Sequence, residues 1–202
     1  MKSRIILVRH GHSKANAQDI IVSSLENGVK AAWGLTARGR EQAAGVVGAL
    51  LEEGYLSSDP STSFAIYSSP FSRARETAQE IGAALASQFS EASTPSIQLD
   101  DALRERYFGE ALEGMSSDAY RDVWAQDAED VTIGPAGGES VMDVAMRCEA
   151  FVDRVSRQEA ADVVFLVSHG DTLSILATHV GKRGELGQHR DNGLGNCGFL
   201  VL

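Results

Sequence analysis

The chain has 202 residues, enough for one domain with a sizeable core, and 43% of them are hydrophobic. Its formal net charge of −10 argues against nucleic acid or an anionic membrane as partner, since both demand basic patches. The two cysteines, Cys148 and Cys197, lack metal-type spacing, and only four apolar residues follow the charged start Met1–Arg4, too few for a signal peptide or membrane span. A reduced, cytoplasmic protein is expected.

The first element is the run Ile5-Ile6-Leu7-Val8, which ends in Arg9-His10-Gly11. It is β-branched and lacks polar alternation, so it reads as a strand buried on both faces. Gly11 to Gly34 forms a long polar connection over a pocket. Thr36 caps a helix that runs to about Glu53 and is closed by Gly54. A second strand covers Phe64 to Ser68, and Pro70 ends it. Ser72 to Phe89 follows as a helix, with Ala74, Ala78, Ile81 and Leu85 on one face. Ile97 to Leu99 makes a third strand.

Arg104 to Pro135 is irregular, acidic and punctuated by glycine, with one helix around Ser117–Gln126. It reads as a cap insertion over about residues 104–137. Gly138-Glu139-Ser140 opens a helix to about Arg157, whose stripe Val141, Val144, Cys148, Phe151 and Val155 makes Cys148 a core residue. A second apolar run, Val163 to Val167, ends in Ser168-His169-Gly170 and feeds a helix from Asp171 to Val180. The last strand, Cys197 to Leu202, offers an edge on which two copies would pair as a homodimer. This order predicts an α/β fold over residues 1–202, a three-layer sandwich with a mostly parallel central sheet flanked by helices. Gly193-x-Gly195-x-x-Gly198 fits a dinucleotide fingerprint but opens no helix, so it carries no such function.

Ligands of open α/β sheets bind beyond the carboxyl ends of the strands. His10 and His169 are each delivered there by a core strand, and Arg9 makes the shared pocket suit an anion. Ser69-Pro70-Phe71-Ser72-Arg73-Ala74-Arg75-Glu76-Thr77-Ala78 adds an arginine in the first turn of a helix, where anions are favoured. Arginine matches phosphoryl oxygens with planar, permanently charged donors. An imidazole is largely neutral near pH 7 and can attack phosphorus without a separate base.

Arg9-His10-Gly11, the Ser69–Ala78 segment, Leu103-Arg104-Glu105-Arg106-Tyr107-Phe108-Gly109, Gly138-Glu139-Ser140 and Ser168-His169-Gly170 occur in one order along the chain. Together they resemble the histidine phosphatase superfamily, in its phosphoglycerate-mutase-like branch, over nearly the whole length. The resemblance implies a phosphomonoester hydrolase with no metal or other cofactor and a small phosphorylated metabolite as substrate. His10 is then the nucleophile, Glu105 the acid and base, and Arg9, Arg73 and a protonated His169 the phosphate ligands. Asn16 and Gly170 complete the expected binding set, and Arg106 either anchors its loop or touches substrate. Tyr107, Phe108, Tyr120 and Trp124 are candidates for the cap wall.

The sequence also departs from the family pattern. His12 stands where Glu or Gln is usual, which opens a rival reading in which His10, His12, His169 and Asp171 hold a metal. Ala32-Trp33-Gly34-Leu35-Thr36 replaces Asp-x-Pro-Leu-Thr. A mutase needs cap arginines for the substrate carboxylate and a closing tail. Between Glu113 and Gly138 the only basic residue is Arg121, and the chain stops on Phe199-Leu200-Val201-Leu202. Hydrolysis is therefore favoured over mutase transfer, and a non-catalytic phospho-ligand module is the third reading. His179 and His189 match nothing and are expected to face solvent or lie in loops.

Overall fold

A computed structural model describes residues 3–89 and 95–202; Met1 and Lys2 of the charged start lie outside the described residues. Strand β1 (Arg4–Arg9) leads into two short helices, α1 (Lys14–Ala17) and α2 (Leu25–Gly28), and then into α3 (Ala37–Glu52). The Thr36 hydroxyl accepts from the Gly39 amide and so caps α3 as expected. Strand β2 (Phe64–Ser68) is followed by α4 (Ser72–Gln88) and β3 (Ile97–Leu99). The cap carries α5 (Tyr120–Glu129), and α6 (Val141–Gln158), β4 (Val163–Ser168), α7 (Gly170–His179) and β5 (Phe199–Val201) complete the chain. A 3₁₀ segment, Leu186–Asn192, lies between α7 and β5 and has no counterpart in the periodicity of the sequence.

The sheet order is β3-β2-β4-β1-β5. The first four strands run parallel, and β5 joins the β1 edge antiparallel. Two core strands sit side by side in the middle because their residues are apolar toward both faces. Ile5 and Leu7 of β1 and Val164 and Leu166 of β4 pack under α6 and α7. Ile6 and Val8, with Phe165 and Val167, pack on the opposite face against α3 and α4. The α6 stripe, Cys148 included, is buried in the first of these layers. A smaller cluster of Ile21, Phe108 and Val123 seats the cap on the loop after β1. Among the described residues no helix is long and apolar enough to cross a membrane.

Strand register positions the site. Arg9 pairs with Ser168 across the β1–β4 ladder, so His10 and His169 leave the sheet at the same level. Ser68 pairs with Val167 on the other side of β4, which places the start of α4 next to both. The turn after His10 then passes close to α3. A Cβ added at Gly11 would lie 2.4 Å from the Gly39 carbonyl oxygen, a backbone atom that cannot swing aside. Gly11→Ala is expected to destabilise the fold by about 1–3 kcal/mol through this forced shift. Urea denaturation checks it; an unchanged midpoint contradicts the close approach.

Candidate active site

Above the strand ends lies a cavity of about 290 Å³. Arg9, His10, Arg73, Glu105 and Gly170 face it from the sheet side, and Phe108, Tyr120 and Trp124 from the cap. Asn16 sits at its mouth. His10 Nδ1 lies 2.8 Å from the Gly11 carbonyl oxygen, which accepts only if that nitrogen carries the proton. Nε2 therefore keeps its lone pair and accepts from Arg73 Nε at 3.1 Å. Burial, then Arg73 and Arg9, hold the ring well below the usual histidine range, so it is neutral.

Arg73 is buried in the first turn of α4. Its Nη2 donates to the Val22 carbonyl at 3.0 Å, and its Nη1 is buried without a partner. Arg9 Nη1 donates to the Leu194 carbonyl at 2.6 Å, while its Nε is likewise unpartnered. A Cβ on Gly170 would come within 3.3 Å of the Arg9 guanidinium, so glycine is what lets that arginine lie flat on the start of α7. Buried donors left unsatisfied are rare and costly. Two of them on arginines beside one cavity mark a place for an anion with several acceptor oxygens.

His169 stands behind His10 rather than on the cavity wall, with ring centroids 5.1 Å apart. Its Nε2 is 2.8 Å from Ser69 Oγ, and its Nδ1 is buried without a partner. Burial first, then the neighbouring Arg73, hold its pKa well below the usual histidine range in the ligand-free pocket.

Glu105 is buried, and its Oε1 accepts from the amides of Arg106 (3.0 Å) and Thr172 (3.3 Å). Among the described residues no ion pair holds it: Arg104 goes to Glu139, and Arg106 goes to Asp127 and Asp171. Burial first, then the nearby Asp171 carboxylate, push its carboxyl above the usual range.

Arg106 is fully buried and makes a bidentate pair with Asp127 on α5, at 2.6 and 2.8 Å. It also reaches Asp171 at 3.2 Å. It thus ties the cap to α7 and does not line the cavity. Asp171 further accepts from Trp124 Nε1 (3.0 Å), Arg190 Nη1 (3.2 Å) and His189 Nε2 (3.3 Å). His189, expected to face solvent or lie in a loop, is fully buried there within the 3₁₀ segment. His179 is partly exposed and meets Glu149.

The rival metal set does not assemble. His12 turns its Nδ1 to Thr36 Oγ1 at 3.0 Å, away from the cavity. Asp127, Asp171 and His189 do bring ligand atoms within 4.8 Å of one another, but the Arg106 guanidinium already bridges the two carboxylates. Asn16 spends its Oδ1 on capping α1 through Ser13, and Asn196 also donates to it at 3.3 Å. Tyr107 does not reach the wall. Sequence reasoning missed Arg190, Leu194 and Asn196, all from the irregular stretch before β5; Asn196 Nδ2 donates to the His10 carbonyl at 3.1 Å.

The family model of the histidine phosphatase superfamily (branch 1) matches residues 5–202. The chain belongs to this superfamily. The chain is 30% identical over 185 residues to a 2,3-bisphosphoglycerate-dependent phosphoglycerate mutase of Bartonella bacilliformis, covering 87% of the chain and 80% of the relative. It is 29% identical over 182 residues to phosphoglycerate mutase-like protein 4 of Arabidopsis thaliana, covering 86% of the chain and 69% of that protein. Among solved structures it resembles a mycobacterial glucosyl-3-phosphoglycerate phosphatase bound to VO3, with a TM-score of 0.74, 25% identity, and 99% and 92% of the two chains covered. The fold is also that of an Entamoeba histolytica phosphoserine phosphatase in complex with 3-phosphoglyceric acid, at TM-score 0.71 and 23% identity, covering 98% and 89%.

The buried imidazoles set a pH dependence of stability. His10 and His169 titrate near pH 6.5 when unfolded and stay neutral well below that when folded. Their contribution is complete above pH 6.5 and is lost as pH falls, at about 1.4 kcal/mol per pH unit for each. Glu105 runs the other way, because a raised carboxyl destabilises the fold as pH climbs above 4.5. Two histidines outweigh one carboxyl. Unfolding free energy in urea is expected to fall from about pH 7.5 to about pH 5.5. His10→Gln should flatten that slope; a wild-type slope of zero contradicts the neutral pair.

Proposed function

We propose that this protein hydrolyses phosphomonoesters by a double displacement through a phosphohistidine at His10. The observation that carries the reading is the His10 ring itself: its Nδ1 donates its proton to the Gly11 carbonyl, and its Nε2 lone pair is at the cavity wall beside Arg73. Uncatalysed phosphomonoester hydrolysis is so slow that accelerations reach ~10²¹-fold, or about 28 kcal/mol, and splitting the reaction in two is one route to that.

In the first step Arg9 and Arg73 turn their unpartnered N–H groups onto the phosphate oxygens. Their fixed charge stabilises the transferring group without reorganisation. Arg73 Nε releases the His10 lone pair, Nε2 bonds to phosphorus, and the ester P–O bond breaks. Glu105, whose carboxyl burial shifts toward its protonated form, gives its proton to the departing alkoxide. The phosphate dianion favours a proton on His169, whose neutral state belongs to the empty pocket. In the second step the Glu105 carboxylate takes a proton from water as its oxygen attacks phosphorus. The P–N bond breaks, its electron pair returns to Nε2, and inorganic phosphate leaves.

The arginines supply the charge stabilisation this scheme needs, so no metal or other cofactor enters it. The cap favours hydrolysis over mutase transfer, because Arg121, the one basic residue between Glu113 and Gly138, is exposed and paired with Asp118 outside the cavity. The expected substrate is a small phosphorylated metabolite, in keeping with the size of the cavity.

Turnover of p-nitrophenyl phosphate tests the reading. His10→Ala should abolish activity, and EDTA should leave the wild type unchanged. Glu105→Gln should slow alkyl phosphates by about 10²–10⁴-fold. With the nitrophenyl ester, whose phenolate leaves unaided, it should give a burst of one equivalent followed by slow turnover. Activity surviving His10→Ala overturns the proposal. Primer-dependent conversion of 3- to 2-phosphoglycerate without phosphate release would establish the mutase reading instead.

A further inference from the structure

We propose that the leaving-group side of this cavity selects phosphomonoesters of uncharged, hydroxyl-bearing alcohols, of the polyol or sugar type, and rejects esters that carry a second anion. The inference rests on the phosphatase reading and concerns the half of the cavity that the phosphate does not fill. Asn16, Asp19, Ser117, Tyr120, Trp124 and Arg190 all line the cavity, and none of them holds the phosphate in the proposed mechanism; they are taken as the wall of that half.

The charges there do not favour a further anion. Arg9 and Arg73 are matched by the phosphate dianion. Arg190, the one cation among the described residues on the leaving-group side, donates Nη1 to Asp171 at 3.2 Å. Together with Arg106 it balances the two buried carboxylates Asp127 and Asp171. Asp19 has no ion-pair partner among the described residues. Hydrogen bonds from Ser116 and Ser117 keep it ionised at the rim. The cap segment between Glu110 and Pro135 adds Glu110, Glu113, Asp122, Glu129 and Asp130, which have no ion-pair partner among the described residues, while its Asp127 and Asp118 are paired with Arg106 and Arg121. A carboxylate or second phosphate on the leaving group would enter this field uncompensated.

The same wall suits hydroxyl groups. Asp19 adopts a left-handed conformation (φ 55°), which aspartate tolerates better than most residues. Both its carboxylate oxygens are fixed by the cap serines, and each retains a lone pair for a substrate hydroxyl. The Asn16 amide and the Ser117 hydroxyl offer further polar partners beside it. The aromatic residues do not present a stacking platform. Trp124 has Tyr120 against one face, with centroids 5.2 Å apart and planes at 11°, and the Arg190 guanidinium over the other at 4.1 Å. Their edges suit the C–H groups of a polyol better than a flat ring.

A matched pair tests the claim: glycerol 3-phosphate and 3-phosphoglycerate, which differ only by a CH₂OH in place of a carboxylate. At low salt kcat/KM is expected to be at least about tenfold higher for glycerol 3-phosphate, with the gap narrowing at high salt as the field is screened. Asp19→Asn is expected to shrink the ratio at least about threefold by improving the acid, an electrostatic gain of the kind screened by salt. Equal or better turnover of 3-phosphoglycerate overturns the inference. So does a ratio unmoved in Asp19→Asn, or an Arg190→Gln variant that loses 3-phosphoglycerate selectively. If neither ester nor p-nitrophenyl phosphate is hydrolysed, the phosphatase reading itself has failed. Hydrolysis of both esters without preference removes only the charge selection.

Discussion

The parallel register of β1 on β4 is the constraint on which the site depends. With Arg9 opposite Ser168, the two His-Gly turns emerge side by side, and their rings meet edge to face. A slip of one residue would displace one imidazole by about 3.3 Å along the strand and turn each side chain to the other face of the sheet. Both faces of these strands are packed with apolar residues of different sizes, under α6 and α7 on one side and α3 and α4 on the other. The hydrophobic core that stabilises the sheet is therefore also what fixes the distance between His10, His169 and the start of α4.

Burial then sets the chemistry. Two arginines and two imidazoles share one desolvated corner, and the cheapest arrangement keeps both imidazoles neutral and both guanidiniums charged. The carboxyl of Glu105 meets the same low-dielectric surroundings, which push its pKa above the usual carboxylate range. In the proposed double displacement, a nucleophile that needs no base and an acid shifted toward its protonated form would both follow from exclusion of water. That exclusion requires a cap, and the cap is held by Arg106 between Asp127 and Asp171. Desolvating three charges is expensive, and their mutual geometry must repay it. The return is placement: Asp171 gathers α5 through Trp124 and the 3₁₀ segment through His189 and Arg190, beside Glu105.

Most of this was legible in the residues. Strand ends, the Thr36 and Ser140 caps and the apolar stripes of α4 and α6 obey local rules, so their positions agree with the pattern to within a residue or two. The wall built from residues 186–196 was not, because a 3₁₀ segment has no apolar period and its role depends on contacts with Arg9, His10 and Asp171. His189 reads as a loop histidine until Asp171 is seen to bury it. The charge of His169 was equally hidden: the motif names the residue, but its protonation follows from burial and from Arg73. His12 looks like an extra imidazole for the pocket, yet the cap of α3 claims its ring.

The central claim is that phosphorus passes through a covalent bond to His10. Rapid mixing with a radiolabelled phosphomonoester, quenching in alkali and peptide mapping tests it directly. The account predicts a label on the peptide containing His10 that survives base, is released by acid, and is absent from His10→Ala. A competent enzyme that turns over without ever carrying that label, or that carries it on another residue, would contradict it.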